Sequence, residues 1–153
     1  APDPGRAPGA LHLRADTERK ALRGVDPLTP LPDDAYRPEV TDEVHIRLRH
    51  RAARALAAGQ SVLLDATFLD QPARDSAEAV AREAGVPFRG LWLQATEDVL
   101  VDRVTARGRD ASDADARVVR AQREAGPDGW TPLRAGGSAG DTLAAARAAL
   151  DRD

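Results

Sequence analysis

The sequence predicts an α/β fold, with helices layered on both sides of a parallel sheet. Three observations predict it. Short apolar runs near residues 10–14, 61–65 and 88–93 alternate with longer stretches of helical period. The connections between these runs are far longer than hairpin turns, so βαβ units with right-handed crossovers are expected. The centre of the second run, Val62-Leu63-Leu64, is wholly apolar, as in a strand covered on both faces.

The elements follow in order. Residues 1–9 (APDPGRAPG) are rich in Pro and Gly and read as a loop. Residues 10–14 form the first strand, and a helix from about Thr17 to Leu22 stops at Gly24. Residues 25–37 hold three prolines and form an irregular excursion. Pro38 opens a long helix to about Ala58, with Val40, Val44, Leu48, Ala52, Ala55 and Leu56 on one stripe and Gly59 as its stop. Strand two is Ser61–Asp65. A helix from about Pro72 to Ala84 ends at Gly85, and strand three is Phe88–Leu93. Glu97–Arg107 is an amphipathic helix. Ser112 or Asp113 caps another to about Glu124. Trp130–Leu133 reads as a last short strand, and Asp141–Leu150 as a terminal helix.

At 153 residues the chain is one domain by size. Only five residues are Phe, Trp or Tyr, so Leu, Val and Ala build the core. A net charge of −3 and few stacking aromatics disfavour nucleic acid as a partner. The absence of cysteine excludes disulfide and thiolate chemistry. His12, His45 and His50 are too scattered for a zinc site. No apolar run approaches the roughly 20 residues of a membrane span, so a cytoplasmic protein without membrane contact is the expectation.

In open parallel sheets ligands bind beyond the carboxyl ends of the strands. Asp16 and Asp65 both fall there. Asp16, with Arg19 one helical turn on, suits a site in which a carboxylate takes a hydroxyl proton and an arginine holds an anion. The alternative is a helix N-cap. Asp65 suits an acid that orients Mg²⁺ through water, with Thr67 and Arg74 close behind. Its alternative is a turn or cap residue. Arg103 and Arg107 lie i, i+4 on one helix face, able to reach over a transferring phosphoryl group or simply to pair with Asp98 or Asp102 in solvent. The acidic run 110–115 lacks the ligand spacing of a calcium loop and reads as a helix start. No G-x-x-x-x-G-K-[ST] occurs, and Lys20 is the sole lysine.

The stretches LHLRADTERKALRGVDP (11–27), AYRPEVTDEV (35–44), GQSVLLDATFLDQPARD (59–75), GVPFRGLWLQATEDVLVDRVTAR (85–107) and DASDADARVVRAQ (110–122) together resemble a known family. It is the P-loop kinase-like ATP-binding domains of the zeta toxin, polynucleotide kinase and gluconate kinase group. The resemblance is closest to the ATP-binding half of bacterial fusion proteins whose other half is aminoglycoside-phosphotransferase-like. It implies ATP and Mg²⁺ as cofactors and a small-molecule hydroxyl as acceptor. Asp16 would stand near that hydroxyl, with Arg19 facing its phosphate or anion and Arg74 near the acceptor site. Asp65 would orient Mg²⁺, Thr67 would lie on the nucleotide side, and Arg103 and Arg107 would belong to a lid within 103–124.

In that family a first strand, P-loop and first helix precede residues 10–14, and the sheet order 2-3-1-4-5 puts the first strand between those at 61–65 and 88–93. The expectation is thus a single incomplete domain over 1–153, inactive alone. Its sheet would be closed up, completed by a borrowed strand, or left with an exposed edge through which copies could associate. The competing expectation is a non-catalytic pseudokinase acting as an interaction module.

Overall fold

The computed structural model describes residue 5 and residues 7–106, 112 and 128–151. Its architecture is α/β with parallel strands. The chain divides into two compact units, residues 1–88 with 109–113 and residues 89–108 with 114–153. Each has its own two-stranded sheet.

The first unit begins with β1 (Leu11–Arg14) and α1 (Ala15–Leu22). A 3-10 turn over Asp33–Tyr36 ends the Pro-rich excursion, and Pro38 opens α2 (Pro38–Ala57). Pro suits a first helical turn, where its missing N–H has no partner to lose. Then come β2 (Val62–Asp65) and α3 (Gln71–Glu83). β1 and β2 run parallel in the register Leu11↔Val62 to Arg14↔Asp65. After α2 the chain turns at Gly59 with φ 77°, and Gln60 N–H reaches back to the Ala55 carbonyl at 3.0 Å. After α3, Gly85 does the same with φ 67°, and Val86 N–H meets the Ala81 carbonyl at 3.0 Å. Both are left-handed caps that favour glycine.

The core lies between β1, β2 and α2. Leu13, Ala15, Val44, Leu48 and Ala52 are its buried centre, with Leu22, Val62, Leu64, Ala66 and Val80 packed around it. The stripe read on α2 is the face that does this: Val44, Leu48, Ala52 and Ala55 are buried. The expectation of a second strand buried on both faces is corrected. Val62, Leu63 and Leu64 are each only half-buried, because the core packs on the side of Leu13, Val62 and Leu64. Successive side chains alternate across a strand, so His12, Arg14, Leu63 and Asp65 share the other side.

The second unit holds β3 (Leu91–Gln94), α4 (Glu97–Ala106), β4 (Thr131–Arg134) and α5 (Ala139–Leu150). β3 and β4 are parallel, in register from Leu91↔Thr131 to Gln94↔Arg134. The third strand therefore starts later than the expected 88. Its ladder opens where Thr131 N–H meets the Gly90 carbonyl at 2.8 Å, beside the Trp130 indole packed on Gly90. The terminal helix starts earlier than Asp141. Ser138 accepts from Asp141 N–H at 3.1 Å, and the Asp141 carboxylate accepts in return from Ser138 N–H at 3.2 Å. This capping box puts Asp141 inside the first turn and lowers its pKa through the Ser138 bonds. The helix expected from Ser112 or Asp113 to Glu124, and most of the lid region 103–124, lie outside the described residues.

Candidate functional site

β1 and β2 end together at Arg14 and Asp65, so the residues beyond them gather at one end of the first sheet. Asp65 closes β2 as expected. Its side chain is 52% exposed, and its Oδ2 meets His12 Nε2 at 3.1 Å and Arg14 Nε at 3.4 Å. Period-two alternation on β1 aims both side chains at it. Oδ1 has no protein partner among the described residues. A carboxylate with one oxygen held and one open fits a Mg²⁺ ion that keeps its own waters and takes its remaining ligands from a substrate phosphate. No cluster of three metal-ligating side chains occurs among the described residues. Thr67 is exposed two residues further on.

Asp16 does not cap α1. The cap position is Arg14, without a side-chain bond, and Asp16 sits inside the first turn. Helix formation starts at Ala15 because Leu13 and Ala15 are drawn into the core while Asp16 turns away, half-buried. Its carboxyl pKa is raised, chiefly by burial. A hydrogen bond from Ser112 and the charges of Arg14 and Arg19 pull it down, and the nearby Asp65 pushes it up again. The two carboxylates are in mutual electrostatic contact but in different surroundings: Asp16 is half-buried with its pKa raised, and Asp65 is exposed.

Arg19 is buried beneath the Pro-rich excursion. One terminal nitrogen donates to the Ala35 carbonyl at 2.8 Å and to Thr41 Oγ1 at 3.3 Å, and its guanidinium carbon lies 4.8 Å from the Tyr36 ring centre. Its Nε is buried without a hydrogen-bond partner among the described residues. Arg74, on α3, is also buried. It donates from one terminal nitrogen to the carbonyls of Phe68 (2.6 Å) and Leu69 (2.8 Å), and from the other to Gln71 Oε1 at 3.0 Å. In the second unit, Arg103 donates to the Gly137 carbonyl at 2.6 Å, just before α5. Arg107 lies outside the described residues.

The structure thus gathers Asp16, Asp65, Arg14 and Arg19 in one electrostatic neighbourhood. Sequence reasoning passed over His12 and Arg14, although the alternation of β1 put both on the side of Asp65. It also passed over Glu18, which is buried and ion-paired to Arg47 and Arg51 of α2. The i, i+4 spacing of those two arginines was the available signal.

Among the described residues no helix is long and apolar enough to cross a membrane. Residues 5–126, more than three quarters of the chain, match the family model AAA_33, described as an AAA domain. Similar proteins include the uncharacterized proteins Mb2027c of Mycobacterium bovis and Rv2004c of Mycobacterium tuberculosis. Each is 30% identical over 117 residues, covering 74% of this chain and 24% of the relative. The chain therefore spans about a quarter of the length of these curated relatives. Parallel strands with helical crossovers, acids at the strand ends and a match over most of the sequence agree: the chain belongs to the AAA_33 family of AAA domains, a P-loop NTPase-like kinase family.

Proposed function

We propose that this domain contributes the acceptor and Mg²⁺-orienting side of an ATP-dependent phosphotransferase acting on a small-molecule hydroxyl. The observation that carries the proposal is the pairing of a half-buried Asp16, its pKa raised by burial, with the exposed Asp65 at the end of the next strand. Asp16 accepts the acceptor hydroxyl's proton while that oxygen bonds to the γ-phosphorus and the bond to the β-phosphate oxygen breaks. Asp16 then returns the proton to solvent. Asp65 would hold Mg²⁺ through water, and the ion, when bound, would supply neutralisation of charge on the phosphates. Thr67 faces the nucleotide. Arg19 reaches the acceptor's anion through movement of the excursion that now covers it, and Arg103 and Arg107 serve a lid. The phosphate cradle comes from polypeptide other than these 153 residues, which contain no such motif. Relatives about three times as long leave room for an aminoglycoside-phosphotransferase-like partner domain.

A second reading has its own support. Arg19 spends one terminal nitrogen, and Arg74 both, on the protein's own carbonyls and side chains. That suits a non-catalytic module, with copies joining through sheet edges.

Calorimetry with Mg-ATP separates the two. It compares the 153 residues with the product of the native coding region extended upstream. Binding by the extended product alone is expected. In it, Asp16→Asn should keep nucleotide affinity and lose turnover by about 10²–10⁴-fold, the usual worth of a general base. Binding by neither product favours the module. Binding by the 153 residues alone overturns the separate cradle, and an Asp16→Asn variant of unchanged turnover removes Asp16 as the base.

A further inference from the structure

We infer that Arg74 is a positioning residue: it clamps the loop Ala66–Asp70 and thereby fixes Thr67 and Asp65 for a Mg-nucleotide. The inference rests on the reading of those two residues given above. It goes further in assigning Arg74 to the protein's own backbone, and in adding Phe68, His45 and Asp70 to the device.

The loop is held from three directions. Its middle residue, Phe68, has φ 46°, a left-handed conformation that a bulky side chain rarely adopts. Residues kept there persist only where surrounding contacts over-determine them, and they concentrate at functional sites. The contacts are present. Arg74 reaches back across the first turn of α3 and bridges the Phe68 and Leu69 carbonyls with one nitrogen. Its other terminal nitrogen is braced by Gln71. Asp70 caps α3 by accepting from Ala73 N–H at 2.8 Å, which fixes where the loop ends. On the far side, the Phe68 ring stacks on His45 of α2, centroids 5.9 Å apart and planes 22° from parallel. That contact sits in a cleft between α2 and α3 lined also by Leu48, Leu64, Ala73 and Ala77.

The loop begins one residue after Asp65 and carries the exposed Thr67 at its second position. With Phe68 pinned by its ring and its carbonyl, Thr67 lies between two fixed points, the end of β2 and Phe68. Arg74 is only 8% exposed, and burying a guanidinium is costly unless its donors are used. Two of its three nitrogens are used on this loop and its helix start.

The test uses the upstream-extended product with Arg74→Ala and Arg74→Lys. Hydrogen exchange is followed across residues 62–72, and Mg-ATP affinity by calorimetry. In Arg74→Ala, exchange should quicken at residues 66–70 while β1 and α2 keep their protection. Mg-ATP affinity should fall about 10–100-fold, as when groups supporting a metal ligand are removed. Arg74→Lys should not rescue either readout, because one ammonium cannot reproduce the fork across two carbonyls and Gln71. Unchanged exchange at 66–70 overturns the clamp. So does a loss of protection spread over the whole unit, a lysine variant with wild-type affinity, or a loosened loop with unaltered affinity. If the unsubstituted product binds no Mg-ATP, the functional reading fails on its own, and exchange at 66–70 alone decides the clamp.

Discussion

Glu18 offers the sharpest test of how α1, which carries Asp16 and Arg19, is held in place. Its side chain is 2% exposed, and its carboxylate meets Arg47 Nε at 3.6 Å and the Arg51 guanidinium. Removing one partner of a buried pair costs about 3–5 kcal/mol when the stranded charge stays buried. Here the arginines are 45% and 49% exposed, so they return to water when the carboxylate goes. What remains is the loss of a charge-assisted bond, about 1.5–3 kcal/mol. A glutamine keeps the volume and one acceptor, so Glu18→Gln should cost about 1–2 kcal/mol after this discount. With a urea slope of about 2 kcal/mol per molar, the unfolding midpoint drops by about 0.5–1 M. Urea titration of the 153-residue chain, followed by circular dichroism, reads this directly. Because one partner is buried, the difference should survive in 1 M salt, where exposed pairs are screened. A midpoint unchanged by the substitution, or a difference abolished by salt, would refute α1–α2 docking through this pair.

Two further outcomes follow from the site and from the second unit. Asp16 has a folded-state pKa raised by burial, so the folded chain holds its proton at pH values where the unfolded chain has released it. Stability must then fall as pH rises from about 3.9, the ordinary aspartate value, through the folded pKa. Asp16→Asn removes that loss; urea midpoints should favour the variant at pH 7 and converge with the parent near pH 3, and a variant weaker at pH 7 contradicts the burial argument. A Cβ on Gly90 would lie 2.7 Å from Trp130 Cδ1 and closer still to Cγ and Cδ2. Gly90→Ala should therefore cost about 1–3 kcal/mol of overpacking and shift the Trp130 fluorescence, whereas an unaltered spectrum and midpoint would deny the contact.

Much of the fold was legible because few principles compete in it. Apolar period, proline and glycine fixed α2 and α3 to within a residue or two, since Pro38, Gly59 and Gly85 act through backbone sterics alone. The β3 boundary was not legible, because a partner strand sets it: pairing starts where Thr131 meets Gly90, and apolar content at Phe88 says nothing of that. Asp65 was legible as a strand end. The partners of Asp65 were readable from alternation on β1. The clamp on Phe68 was not, because no short-range pattern announces a left-handed phenylalanine or an arginine folded back on the loop before its own helix.

In each sheet, main-chain alternation decides which side is left for a further strand. In the second unit, Thr131 N–H donates to the Gly90 carbonyl just before β3 at 2.8 Å, and Ala135 N–H to the Gln94 carbonyl at its end at 2.7 Å. Alternation then turns the nitrogen of Pro132 to the outer side of β4, where it has no hydrogen to offer. β4 is thus an edge by its own chemistry, and addition to this sheet falls to the far side of β3. There the main-chain groups of Leu91 and Leu93 point, and the Leu93 side chain is 60% exposed. In the first unit, Leu11 N–H donates to the Ser61 carbonyl at 2.8 Å. The same alternation directs the main-chain groups of Val62 and Leu64 away from β1. Among the described residues no strand pairs with either set. Each sheet, taken by itself, leaves that side open, and Pro132 closes the opposite side of the second.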